Sequence, residues 1–207
     1  HLGMKILYGL VNDREDSWCE RVFAPDVDME EQMRKNNVPL FALESGDYIK
    51  DFDIIGFTLM YELCYTNVLN MLDLAGIPLY SKDRTELAPI ICVGGPCACN
   101  PEPIADFVDI VFLGDGEDST NAVLDLLKEC KKKGATKQEF LLKAKDITGV
   151  YVPSFYEDSY NSDGTLKELV PIMKKPKIKS IPYEEFKDNE TFEKLVAELN
   201  AKGTNVI

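Results

Sequence analysis

GFTLMYELCYTNVLNMLDLAGIP (56–78) and ICVGGPCACNPEP (91–103) contain the pattern that decides the fold. In both, a short apolar run typical of a buried strand ends in a turn of small, polar or aromatic residues. A third run, DIVFL (109–113), ends in Gly114-Asp115-Gly116-Glu117. We expect strands near 54–58, 89–93 and 109–113, separated by helical stretches of crossover length. Such strands predict an open, mainly parallel sheet with a ligand crevice at its carboxyl edge.

Helical patterns occupy much of the remaining sequence. One opens the chain at Leu2, others cover residues 29–36 and 63–74, and a long one covers residues 118–133 and ends at Gly134. A capping box at 136–139 starts another helix, to about residue 145. Residues 21–25 are a short strand candidate, and residues 39–43 are either a strand or an extended loop. The sequence therefore predicts an α/β fold, a Rossmann-like (flavodoxin-like) three-layer sandwich.

The composition changes after Gly149. Residues 150–156 and 166–170 flank a turn at 161–164, a pattern that favours a small β-hairpin. Residues 171–182 are a basic linker, and 189–201 form an amphipathic helical pattern in the tail. We therefore divide the chain into an α/β domain (1–149), a hairpin with linker (150–182) and a helical tail (183–207).

The overall charge restricts the partners of the chain. Its 207 residues carry 36 acidic and 23 basic side chains, a net charge of −13. Nucleic acid is an unlikely partner, since phosphate contacts supply most non-specific affinity. No apolar run reaches the roughly 20 residues of a membrane span. The six cysteines lack the spacing of a secreted disulfide framework, which favours a cytoplasmic location.

The two opening segments, together with FLGDGED (112–118) and TGVYVPSFYE (148–157), resemble a known family. They are similar to the amino-terminal region of uncharacterised radical S-adenosylmethionine (SAM) proteins, Fe–S oxidoreductases. That region is in turn similar to the cobalamin-binding Rossmann-like domain, and the likeness extends to about residue 179. It implies an accessory domain that binds a cobalamin-type cofactor or a substrate. The 4Fe–4S cluster and SAM are then expected in a separate radical SAM domain of the parent chain, its partner.

The turn after the first predicted strand supplies one set of candidate site residues: Thr58, Leu59, Tyr61 and Glu62. In cobalamin-binding domains a similar Ser/Thr-x-Leu turn lies beside the nucleotide tail of the cofactor, and Thr58 and Leu59 match that pattern. Tyr61 offers a flat face to a ligand. Alternatively, Thr58 caps the following helix and Tyr61 packs beneath a loop.

The turns after the second and third strands supply the other candidates. Glycine allows a ligand to approach the backbone closely, and a tight turn would need the same residues. The acidic turn would repel phosphate but suits a hydroxyl-bearing ligand such as ribose, or serves as a plain helix start. These candidates are Gly94, Gly95, Pro96, Cys97, Gly114, Asp115, Gly116 and Glu117.

The pattern of cysteines and histidine restricts the chemistry. The Cys-x-x-x-Cys-x-x-Cys motif that holds the cluster in the radical SAM family is absent from the sequence, so we expect no catalytic residues in it. Cys97 and Cys99 alone are too few for a metal site. His1 is the only histidine, and it does not form the Asp-x-His-x-x-Gly motif that ligates cobalt.

Two classes of function remain open. One is a module that binds cobalamin or a related ligand at the sheet edge. The other is a degenerate Rossmann-like domain that only docks against its partner. Because the chain opens in a helix, we also expect a vacant central position where a first strand would lie. Upstream residues, the tail 204–207 or a second copy in a homodimer could fill that position.

Overall fold

The structure, a computed structural model, describes residues 2–172. The helices are α1 (Leu2–Asn12), α2 (Val27–Asn36), α3 (Tyr65–Leu74), α4 (Glu117–Lys133) and α5 (Lys137–Ala144). The strands are β1 (Ile54–Thr58), β2 (Ile90–Gly94), β3 (Ile110–Phe112), β4 (Val150–Tyr151), β5 (Tyr156–Tyr160) and β6 (Leu166–Pro171). No helix among these residues is long and apolar enough to cross a membrane.

The main sheet has the strand order β1-β2-β3-β4. Strands β1 and β2 are parallel, with Ile54 opposite Ile90, and β3 continues the parallel sheet with Ile110 opposite Cys92. The predicted parallel arrangement of the three apolar runs is therefore confirmed. Parallel strands are normally covered on both faces, and four of the five residues of β2 are buried.

Helices cover both faces of the sheet. On one face, α2 and α3 belong to an apolar cluster that includes Leu72 and Val93. On the other face, α4 and α5 supply Leu127 and Phe140, which belong to a second cluster with Ile90. Neighbouring residues of β2 thus enter different cores, as the two-residue period of a strand requires. The structure is the predicted α/β arrangement of helix, sheet and helix layers.

Two helix ends that were predicted from nearby residues are confirmed: the end of α4 and the start of α5. Gly134 ends α4 in the left-handed conformation, with φ of 63°. The Thr136 hydroxyl accepts a hydrogen bond from the Glu139 amide, and the Glu139 carboxylate accepts one from the Thr136 amide. This reciprocal capping box begins α5 as predicted.

The predicted small β-hairpin is confirmed, but its first strand lies later in the chain than predicted. Val150 and Tyr151 form β4, which pairs antiparallel with β3 in the main sheet. A short 3₁₀ turn at Pro153–Phe155 separates β4 from the hairpin, which consists of β5 and β6. Residues 150–156 are apolar enough for either role, and the open edge of β3 takes the first of them.

Three further expectations differ from the structure. Residues 21–25 form no strand: the Arg21 carbonyl accepts from the Leu43 amide, but the Arg21 amide donates to the Glu44 carboxylate and not to a neighbouring strand. Leu63 lies in a 3₁₀ turn before α3 and is 80% exposed. No vacant position separates β1, β2 and β3, so an additional strand could only join an outer edge of the main sheet. The predicted linker from residue 173 onward and the tail helix lie outside the described residues.

Candidate functional site

Backbone hydrogen bonds join the turns after β1 and β2. The Leu59 amide donates to the Gly94 carbonyl at 2.7 Å, and the Cys97 amide donates to the Leu59 carbonyl at 3.1 Å. Two of the three predicted loops are therefore in direct contact at the carboxyl edge of the sheet, as parallel strands require.

Gly95 is required by this contact between the loops. Its φ is 99°, and a Cβ built on it would lie 2.9 Å from the carbonyl oxygen of Leu59 and 3.2 Å from Cγ2 of Thr58. The atoms that leave room only for glycine at this position thus belong to the chain itself and not to a ligand. A larger residue at Gly95 would strain the fold, so a substitution there would not affect ligand binding alone. Of the two explanations that the sequence left open for this glycine, the tight turn accounts for it.

The first turn presents only some of its predicted residues to solvent. Leu59 is fully buried in the core, so its side chain is not available to a ligand. Thr58 is half-buried, and α3 begins at Tyr65 without a side-chain cap, so Thr58 does not cap that helix. Tyr61 is 53% exposed and Glu62 is also exposed.

The third predicted turn lies beside the second. A Cβ on Gly94 would lie 3.5 Å from Cβ of Phe112, the last residue of β3. Gly114 has a φ of 96°, which turns the chain toward α4, and the exposed acids Asp115 and Glu117 surround the start of that helix. Negative side chains at a helix start are stabilised by its dipole and would repel phosphate.

Thiols and a phenol lie beside Tyr61, and sequence analysis included only Cys97 of them. The Cys64 thiol donates to the carbonyl of Tyr61 at 2.8 Å, and the Tyr65 hydroxyl donates to the Cys97 carbonyl at 3.4 Å. Burial raises the pKa of the Cys97 thiol, and the nearby Glu62 carboxylate raises it further. The Cys97 thiol is therefore protonated and weakly nucleophilic at neutral pH. Within residues 2–172 there is no group of three or more ligand side chains suited to a metal ion.

The carboxyl edge also has an apolar surface that sequence analysis did not single out. Met60 is 39% exposed, Tyr61 53% and Leu63 80%. These three large side chains lie within four positions of the sequence, and we call them the edge patch. The sequence placed Leu63 at the start of a helix, whereas it lies in the 3₁₀ turn before α3 and is exposed.

A cavity of about 670 Å³ lies at the opposite, amino edge of the sheet. None of the predicted site residues lines it. Its walls include Tyr80, Lys82 and Glu102 before β2 and β3, and Tyr156 of the hairpin. Because the hairpin was misassigned from the sequence, this cavity could not be predicted.

Beside that cavity, three buried charged side chains form one cluster. The Asp109 carboxylate accepts one hydrogen bond from Arg84 at 3.0 Å and lies 2.7 Å from Nζ of Lys137. The Ser81 hydroxyl donates to the same carboxylate, and the Ile91 amide donates to its other oxygen at 2.7 Å. Lys137 also donates to the carbonyls of Ser81 and Arg84. The terminal nitrogens of Arg84 also donate to backbone carbonyls, whereas its buried Nε has no hydrogen-bond partner among the described residues. The cluster joins the amino ends of β2 and β3, which is a structural role.

Comparison with known proteins gives one family match. Residues 3–153 match the family described as the N-terminal region of radical SAM proteins. An uncharacterised protein of Methanocaldococcus jannaschii is 32% identical over 130 residues, which cover 61% of this chain and 27% of that protein. No solved structure matches.

A second, short likeness is to a different kind of protein. One of the subunits of NADH-quinone oxidoreductase from Bacteroides fragilis is 74% identical over 35 residues, 17% of this chain and 18% of that protein. Its counterpart from Bacteroides thetaiotaomicron matches to the same extent. The chain thus spans about a fifth to a quarter of the length of these relatives.

The family match covers most of the described residues, including every strand of the main parallel sheet and all three carboxyl-edge turns. The chain belongs to the family of radical SAM proteins, whose N-terminal accessory region it contains.

Proposed function

We propose that this chain is a ligand-binding accessory domain of a radical SAM Fe–S oxidoreductase, and that it binds a cobalamin-type cofactor or a flat substrate at the carboxyl edge. The observation that supports this most directly is the exposed ring of Tyr61 beside two hydrogen-bonded turns. A large planar ligand can stack on an exposed aromatic face, while the rigid turns keep that face in place.

The residues at this edge suit the flat ring system of a cobalamin better than its phosphate group. The edge patch offers apolar surface to the flat organic ring system. The acidic turn at Asp115 and Glu117 suits hydroxyl or amide donors, and repels phosphate. The sequence has one histidine, His1, which lies outside the described residues. The described residues therefore offer the metal of such a cofactor no imidazole ligand, and we assign no chemical step to them.

Titration with hydroxocobalamin tests the proposal. We expect a saturable change in its visible spectrum on addition of the protein. Tyr61→Ala should weaken binding by about tenfold, since aromatic stacking contributes about 1 kcal/mol or more. Tyr48→Ala is the matched control, because Tyr48 is 41% exposed and lies in another loop. Equal loss in both variants would argue against a site at Tyr61.

A docking domain without a cofactor is the second candidate. It is favoured by the edge patch itself, because exposed apolar patches commonly mark protein interfaces. The partner would be the radical SAM domain of the parent protein. No spectral change with hydroxocobalamin, together with weaker association of a separately expressed radical SAM domain on Leu63→Glu, would favour docking over cofactor binding.

A further inference from the structure

The hairpin closes one side of the cavity at the amino edge of the sheet. Three alternate residues of β5, Tyr156, Asp158 and Tyr160, line this cavity, so one face of the strand points into it. Leu169 of β6 is paired with Asp158 and lines the cavity as well. The volume of about 670 Å³ lies within the range of about 300–1,000 Å³ that is typical of sites for small ligands.

Three carboxylates line the cavity and lie close to one another: Glu102, Asp106 and Asp158. Asp158, with smaller effects of Glu102 and Asp106, raises the pKa of the Tyr160 hydroxyl, because all three carboxylates lie near that hydroxyl. The Tyr151 hydroxyl donates to Glu102 at 2.8 Å. None of the three carboxylates forms an ion pair within residues 2–172. This wall of the cavity is therefore negative and has no counter-charge in the described part of the chain.

Unused positive groups line the same cavity from the segment before β2. Lys82 forms no ion pair with another described residue, and its ammonium lies 5.1 Å from the centre of the Tyr80 ring. Arg84 is buried, and its Nε is the donor that has no partner within residues 2–172. A buried donor without a partner calls for a water or a ligand that supplies the acceptor. This segment therefore suits an acidic group.

The positive and negative walls are neighbours. The ring of Tyr80, two residues before Lys82, stacks on the ring of Phe107 at 4.9 Å, and Phe107 directly follows Asp106. The turn Ser81–Asp83 therefore packs against the turn that carries Asp106. This packing places both kinds of charge within reach of one small molecule.

A metal ion does not account for the carboxylates. Within residues 2–172 no group of three or more ligand side chains is suited to hold one. The rings of Tyr80 and Tyr160 also line the cavity, and aromatic faces attract organic cations. The negative wall therefore suits an ammonium group better than a metal.

We propose that this cavity, which is separate from the carboxyl edge, binds a free α-amino acid. The ammonium group of the ligand lies among Glu102, Asp106 and Asp158, and its carboxylate lies beside Lys82 and Arg84. An amine alone would leave Lys82 without a counter-charge, and a carboxylic acid alone would leave the three carboxylates without one. Only a zwitterion satisfies both walls, and the volume leaves room for its side chain.

A thermal-shift screen of the full 207-residue chain with each standard amino acid tests the proposal. We expect at least one amino acid to raise the Tm, because a ligand that binds only the folded chain stabilises it. Calorimetric titration then compares that amino acid with its N-acetyl derivative, which lacks the positive charge, and its amide, which lacks the negative charge. Each derivative should bind about tenfold more weakly. No stabilisation by any amino acid would overturn the proposal, as would a derivative that binds equally tightly.

Two variants test which wall binds which charge. Lys82→Gln should weaken binding of the free amino acid about tenfold and leave binding of its amide unchanged, since the amide has no carboxylate. Asp106→Asn should likewise weaken the free amino acid and not the N-acetyl derivative. Asp83→Asn and Lys132→Gln are matched controls, because both residues are exposed and neither lines the cavity. Losses of equal size in the control variants would overturn the assignment.

A final variant distinguishes a free amino acid from the lysine side chains of the segment that follows β6. It combines the substitutions Lys174→Gln, Lys175→Gln, Lys177→Gln and Lys179→Gln. Equal binding of the amino acid by wild type and by this variant supports the free ligand. Binding that occurs only in the variant would assign the carboxylates to those lysines and would overturn the proposal.

Discussion

Nζ of Lys137 lies 2.7 Å from the Asp109 carboxylate, and their side chains are 8% and 0% exposed. This pair connects the start of α5 to the start of β3, and it is completed by Arg84. Two buried cations share one carboxylate, so the fold depends on Asp109 more than on either cation alone.

Removal of the Asp109 charge should therefore destabilise the protein strongly. We expect Asp109→Asn to lower the free energy of unfolding by about 3–5 kcal/mol, because two buried cations lose their counter-charge. Denaturant unfolding measures the change. Asp53→Asn is the control: Asp53 is paired with Lys131 at the surface, and its loss should cost at most about 1 kcal/mol. A small effect at Asp109 would mean that the cluster is hydrated or that one cation is neutral.

Stability should fall at alkaline pH because of Cys92. Burial raises the pKa of the Cys92 thiol to about 12, above its value in the unfolded chain. The folded protein thus holds a proton that the unfolded chain releases above about pH 9, and this contribution is lost as pH rises toward 12. The free energy of unfolding should decline by up to about 1.4 kcal/mol per pH unit from this group.

Cys92→Ala isolates the contribution of that thiol. Its cost in cavity formation is independent of pH, so the difference between wild type and variant should shrink between about pH 9 and 11. Denaturant midpoints at several pH values give the comparison. A constant difference over that range would show that the thiol ionises equally easily in both states.

Gly95 and Gly94 should respond differently to the same substitution. Gly95→Ala should cost about 2–3 kcal/mol, because it combines a positive φ with a Cβ at 2.9 Å from the Leu59 carbonyl. Gly94→Ala should cost less than about 1 kcal/mol, since its Cβ would be 3.5 Å from Phe112 in ordinary contact. Thermal unfolding of both variants tests the order, and equal losses would contradict it.

The capping box at the start of α5 should have a measurable effect. Thr136→Ala should reduce the free energy of unfolding by about 1 kcal/mol, because the Glu139 amide loses its acceptor. Thr66→Ala within α3 is the control, since Thr66 is exposed and caps no helix end. Alanine has the higher helix propensity and should not destabilise α3, so a loss of the same size at Thr66 would contradict the capping explanation.

Much of the fold could be predicted because its signals are local or periodic. The apolar runs at β1, β2 and β3 have the length of buried strands, and the connections between them are long enough for the crossovers that parallel pairing requires. Gly134 and Thr136 mark helix ends through bonds to residues within one turn. The three candidate turns could also be placed at one edge from the sequence, because parallel strands end on the same side.

The tertiary structure alone decided which residues those turns expose. Leu59 is buried, and Gly95 lies close to the Leu59 backbone because the turns after β1 and β2 are in contact. No sequence pattern indicates either the burial of Leu59 or this contact. The role of Asp109 required Arg84 and Lys137, which come from distant segments. Likewise Val150 could pair with the hairpin or with β3, since its apolar character suits both. Which strand a segment pairs with depends on contacts with residues that are distant in the sequence, and only the folded chain brings those residues together.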